Sequence, residues 1–212
     1  MPRIPDSIAR SVFYLYRSEE DARAGVNAGA TGFMVSYDFE SISGEVERRC
    51  FAVSNWHAAV KGGYSVIRLN TLLGGVEVFE LGPDEWEFKA GGADIAVAPF
   101  DISGDKYSVN SIPSYMFVER EKSSAIAVGE NAFMLGLFLD FDGRATPVPV
   151  ARFGHVSMVA DERARIKQPT KYEGESFIVD MHSRSGFSGS PVFAYRLSFI
   201  GFGRNGLYEQ VL

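Results

Sequence analysis

Apolar residues along this chain come in short bursts rich in Val, Ile, Phe and Tyr, separated by turns of Gly, Asn, Asp or Pro. The first series is "SVFYLY" (11–16), "TGFMVSY" (31–37), "CFAVSN" (50–55), "YSVIRLN" (64–70) and "VEVFEL" (76–81). Branched and aromatic side chains suit a pleated surface and the intervening residues turn the chain, so each burst predicts a β-strand. A second series follows: "FMLGLFL" (133–139), "VPVARFGHVSMVA" (148–160), "SFIVD" (176–180), "PVFAY" (191–195) and "SFIGFG" (198–203). Between the two lies "DISGDKYSVNSIPS", polar and Pro-containing, the best internal linker. Helical spacing is scarce; one short turn is expected from Trp56 through "HAAVKG", ended by Gly62 and Gly63. Many short strands with Gly-rich turns imply a sandwich or barrels. Neither half repeats the other in sequence.

Composition narrows this picture. With 212 residues and 46% hydrophobic content, the chain can build one domain with a sizeable core or two small barrels sharing an interface. A formal charge of -6 and a pI near 5.2 offer no electrostatic reason to expect nucleic acid or an anionic membrane as partner. The opening "MPRIPDSIARSVFYLYRSEE" has no uninterrupted apolar stretch before a small-residue cleavage site, so no secretory signal and a cytoplasmic location are expected. The one cysteine, Cys50, allows no internal disulfide and reads as a small apolar core residue in a reducing compartment.

Three polar residues stand out against this apolar background. His57 follows a strand at the opening of the short helical turn, Asp94 stands at the mouth of "IAVAPF", and Ser188 sits in "SGFSGSP", where glycines demand a sharp turn. Singly, each reads as an ordinary loop or cap residue. Together they supply a nucleophile, a base and a group to orient the base. A serine hydroxyl is a weak nucleophile near neutral pH and needs an imidazole within reach. That imidazole in turn needs an acceptor on its other nitrogen. His57 and Asp94 come from the first half and Ser188 from the second, which points to a site in the groove between two units. The histidine spacings match no metal motif, no Gly-rich phosphate loop occurs, and this chemistry calls for no cofactor.

The motifs resemble those of trypsin-like serine peptidases of the chymotrypsin fold, closer in style to disulfide-free bacterial members of the HtrA type than to digestive enzymes. "TGFMVS", "VSNWHAAV", "ADIAVAPF" and "SGFSGSPVF" resemble, in order, the family's first-barrel strand, histidine motif, aspartate segment and nucleophile loop, over a span from about Ser11 to Gly203. The resemblance implies an all-β fold of two six-stranded antiparallel barrels, residues 1–107 carrying His57 and Asp94 and residues 108–212 carrying Ser188, with the C-terminal barrel abbreviated. It implies a serine endopeptidase acting on a protein or peptide substrate, with the Gly186 and Ser188 amides as oxyanion hole. His182, six positions before Ser188, falls at the pocket floor and would favour an acidic or polar side chain; a loop role is the other reading. His155, on a long strand, reads as structural. Phe187 replaces the aspartate that captures a freed terminal amine in digestive members, so activation by N-terminal cleavage is not expected. Its ring is expected to pack into the second barrel. Two rival readings remain: an inactive protease-fold module that binds a peptide or partner protein, and an autoprocessing unit.

Overall fold

Seven strands, six of them before residue 107 and a short one just after it, form one curled sheet, in a computed structural model that describes residues 3–102, 104–119, 125–136, 148–182 and 186–195 and the backbone of 200–203 and 206–208. They are β1 (Val12–Tyr16), β2 (Ala30–Glu40), β3 (Val46–Ser54), β4 (Val66–Asn70), β5 (Val76–Glu80), β6 (Ala96–Pro99) and β7 (Ile112–Pro113). Their order is β5-β4-β1-β2-β3-β6, antiparallel throughout, with β7 added in parallel beside β2. Because side chains alternate between faces, Phe13 and Leu15 of β1, Met34 of β2, Ala52 of β3, Ile67 and Leu69 of β4 and Ala98 of β6 share one core. Each fully buried Leu or Ile there contributes about 1.5–3 kcal/mol relative to an exposed one. The sheet curls until its two edges meet through side chains: Phe79 on β5 touches Phe100, just past β6, edge-on at 5.2 Å, and Tyr107 at 5.6 Å.

Two helices near the start of the chain, α1 (Asp6–Ala9) and α2 (Glu19–Ala24), escape the hydrophobic pattern. In α2 only Ala22 is buried, so no apolar stripe announces it. Its signals are caps instead: the Ser18 hydroxyl accepts from the Asp21 amide, Glu19, Glu20 and Asp21 fill the positive first turn, and Gly25 closes it at φ 71°. The stretch read as a linker also proves anchored, since Ile112 is buried and pairs with Val35.

The second half contains β8 (Asn131–Gly136), β9 (Val150–Met158), β10 (Ile166–Lys167), β11 (Glu173–Gly174), β12 (Ile178–Met181) and β13 (Val192–Tyr195). Four form a sheet in the order β12-β9-β8-β13, β10 and β11 form a hairpin, and β14 (Ile200–Gly203) pairs with β15 (Gly206–Tyr208). Phe133 stacks on Phe193 at 4.9 Å to centre a second core, which Ile4 and Ile8 from the N-terminal segment complete. The architecture is all-β, as expected, with a curled, almost wholly antiparallel sheet in each half; among the described residues these sheets have seven and four strands where six each were expected. The end of "FMLGLFL" past Gly136, and Ser198 and Phe199 of "SFIGFG", lie outside those residues. No described helix is long and apolar enough to cross a membrane.

One tie between the halves is directly testable. The Tyr14 hydroxyl, on a residue only 4% exposed, donates to the Val148 carbonyl at 2.5 Å. Burial, with Tyr16 beside it, pushes the Tyr14 phenol well above its ordinary value. A group whose folded-state value is raised contributes stability that is whole below its unfolded value and fades as pH rises through it. Loss of this hydrogen bond in Tyr14→Phe should cost about 1 kcal/mol at neutral pH. Above about pH 10 the wild type should lose stability more steeply than the variant. Urea midpoints measured from pH 7 to 11 check both; parallel curves would mean that Tyr14 does not contribute to the alkaline loss.

Candidate active site

The site begins where β3 stops. Asn55, extended at φ -75° and ψ 138°, turns the chain into α3 (Trp56–Ala59), and His57 lies in its first turn. First-turn amides have no partner within their own helix. Asp94 supplies one: its Oδ1 accepts from the His57 amide at 2.9 Å, while its Oδ2 lies 2.5 Å from His57 Nδ1. The sheet register brings them together, since Ser54 on β3 pairs with Ala96 on β6 and the residues just beyond face each other. The Asn55 side chain donates to the Asp94 carbonyl at 2.7 Å, locking the loop. The carboxylate is largely shielded, its side chain 8% exposed, whereas the imidazole is 34% exposed. A carboxylate only accepts, so this contact places a proton on Nδ1, and in the neutral ring Nε2 then keeps its lone pair.

Ser188 reaches that nitrogen because of a tight turn. The Ser190 amide donates to the Phe187 carbonyl at 3.0 Å, and Gly189 in the third position has φ +85°, the type II pattern. The first half grips this turn at a single buried residue. The Thr31 amide donates to the Ser188 carbonyl at 2.9 Å and the Thr31 hydroxyl to the Gly186 carbonyl at 2.9 Å. The Ser54 hydroxyl in turn donates to the Thr31 carbonyl at 2.8 Å. Phe187, 7% exposed, packs against Gly136 on β8 with the Arg152 guanidinium 5.7 Å over its ring. Its side chain thus lies in the second half, as expected from its apolar character. The result is a Ser188 Oγ to His57 Nε2 distance of 3.2 Å.

His57, Asp94 and Ser188, chosen from the sequence, thus lie in one hydrogen-bonded line. Such a line can draw a proton from a hydroxyl and hold the imidazolium that results. Gly186, at φ +95°, adjoins it. The Phe187 carbonyl turns back toward Ser190, so the Ser188 amide of the same planar peptide points the opposite way, out of the turn. His182 is exposed just after β12 and makes no hydrogen bond with His57, Asp94 or Ser188. His155 is exposed on β9, across from Asn131 and Asp180. Cys50 is half-buried and burial raises its thiol, which makes it a poor nucleophile. Thr31, Ser54, Asn55 and Gln168, whose side chains hold the site together, were not singled out by sequence reasoning. The available signal was Ser54-Asn55, two polar residues closing an apolar strand just ahead of Trp56 and His57. Among the described residues, no cluster of three or more His, Cys, Asp or Glu could hold a metal ion.

No family model and no curated protein matches this sequence. Among solved structures, the crystal structure of Deg5 is similar over 89% of this chain and 76% of that one, with 17% sequence identity and a TM-score of 0.49. At that level the likeness carries nothing about chemistry, which rests on this chain's own hydrogen bonds.

Proposed function

We propose that this protein is a serine endopeptidase, with His57 and Asp94 supplied by a unit of residues 1–107 and Ser188 by a unit of residues 108–212. One observation carries the reading: His57 is bonded at once to the shielded carboxylate of Asp94 and to the Ser188 hydroxyl. In the proposed reaction, Nε2 takes the Ser188 proton as Oγ bonds to the scissile carbonyl carbon. The Gly186 and Ser188 amides stabilise the oxyanion, and the imidazolium returns the proton to the leaving amine as the C–N bond breaks. Water, deprotonated by the same imidazole, then releases the acyl group. Phe187 offers no carboxylate for a terminal amine, which supports a turn assembled by apolar packing without N-terminal processing. The substrate in this reading is a protein or peptide, and the setting is cytoplasmic.

The test is covalent labelling. A fluorophosphonate should modify Ser188 stoichiometrically and a peptidyl chloromethyl ketone should modify His57, both located by mass spectrometry; Ser188→Ala should fold and refuse the fluorophosphonate. A folded wild-type protein that takes neither reagent would replace the enzyme with a peptide-binding module of the same architecture.

A further inference from the structure

Both backbone polar atoms of Asp94 are held by side chains, one from each half of the chain. The carbonyl is held by Asn55, as described above. The amide donates at 2.7 Å to Oε1 of Gln168, which follows β10 in the β10–β11 hairpin. Resting on the serine-peptidase reading, we propose that Gln168 is a positioning residue that sets the Asp94 carboxylate against His57, and that the β10–β11 hairpin is the strap through which the second half aligns the base of the first.

The hairpin is built to present this amide. Ile166 pairs with Gly174 and Lys167 with Glu173, and the Gln168 amide donates to the Tyr172 carbonyl at 2.8 Å. The Lys171 amide closes the turn on the Gln168 carbonyl at 2.8 Å, with Lys171 itself in the left-handed region at φ 68°. Gly174 has no side chain because the Tyr172 ring fills the space a Cβ would take. Gln168 Nε2 donates to Ser176 Oγ at 3.4 Å, which leaves Oε1 as the atom facing Asp94. A second strap contact lies two residues away on each side: the Thr170 hydroxyl donates to the carbonyl of buried Gly92 at 2.7 Å.

The Asp94 side chain is too short to absorb a backbone displacement. Its Oδ2 must stay in line with Nδ1 and its Oδ1 with the His57 amide, so a small shift of the peptide misaligns both bonds. Misplacement by about 1 Å can cost an enzyme about a hundredfold in rate. Ser188 belongs to the half that carries the hairpin. Seating the strap therefore couples alignment of the base to arrival of the nucleophile.

Two substitutions separate hydrogen bonding from packing. Gln168→Met keeps the length of the side chain but loses the amide oxygen; Gln168→Glu keeps an acceptor at the same reach. Second-order rates of fluorophosphonate labelling should fall about tenfold for Met and stay within about threefold of wild type for Glu. The low-field proton resonance of the His57–Asp94 hydrogen bond should move or vanish in the Met variant and return in the Glu variant, which a merely structural role would not produce. Thr170→Val, which removes the other strap contact, should slow labelling by a smaller factor, and it carries the test if Gln168→Met does not fold. Wild-type rates together with an unmoved resonance in a folded Met variant, or in Thr170→Val where that variant stands in for it, would overturn the proposal. If folded wild type takes no label, the peptidase reading fails by itself, and the resonance still decides whether Gln168 positions Asp94.

Discussion

Asp94→Asn is expected to slow acylation of Ser188 by about ten-thousandfold, the loss measured for the equivalent change in the Ser-His-Asp template, with little change in melting temperature. The amide is isosteric, and its remaining oxygen can still accept from the His57 backbone. Its nitrogen, however, would meet Nδ1 where Oδ2 now lies at 2.5 Å. An NH2 group can only donate there, so Nδ1 must turn its lone pair outward and the ring proton moves to Nε2. That nitrogen is the one 3.2 Å from the Ser188 hydroxyl, and with a proton on it the ring cannot act as a base. The measurements are the rate of fluorophosphonate labelling and hydrolysis of any reporter peptide that the wild type cleaves. Near-wild-type rates in a variant with unchanged melting temperature would dismiss Asp94 as the orienting group and direct attention to another carboxylate, such as Asp84.

Gly189→Ala should cost about 3 kcal/mol and abolish labelling of Ser188. Two effects combine. At φ +85° an L side chain is disfavoured by about 1–2 kcal/mol. A Cβ there would also run into the Thr31 carbonyl oxygen and the Ser54 hydroxyl. Neither atom can retreat freely, because Ser54 donates to that same carbonyl and Thr31 holds the nucleophile turn through its amide and hydroxyl. Gly63 isolates the steric term: it is also left-handed, at φ +71°, but a Cβ there would meet nothing within 4 Å. Gly63→Ala should thus cost about 1 kcal/mol and leave labelling intact. Urea denaturation of the two variants side by side makes the comparison, and equal losses would show that the contact with Thr31 and Ser54 is not what demands glycine at 189.

Most strands were legible in the sequence because burial in a sheet follows a two-residue period, which the apolar bursts record whatever their neighbours are. β1, β3, β4, β5, β9 and β13 all fall within or beside predicted bursts. α2 was not legible by that route, since its stability is written in Ser18, three acids and Gly25 rather than in an apolar stripe. β7 was hidden inside a polar stretch in which the two buried residues, Tyr107 and Ile112, stand too far apart to mark a strand. His57, Asp94 and Ser188 could be nominated from residue type and order, because few side chains can serve as base, orienter and nucleophile. What only the tertiary structure decided is who holds them. Thr31 reaches Gly186 across 155 residues of sequence and Gln168 reaches Asp94 across 74. Threonine and glutamine are unremarkable in any loop or strand. A hydrogen bond depends on a few tenths of an ångström and on direction, and no local pattern of apolar and polar residues carries that information. The sequence by itself determined which groups could react; the packing of one sheet against the other decided that they meet.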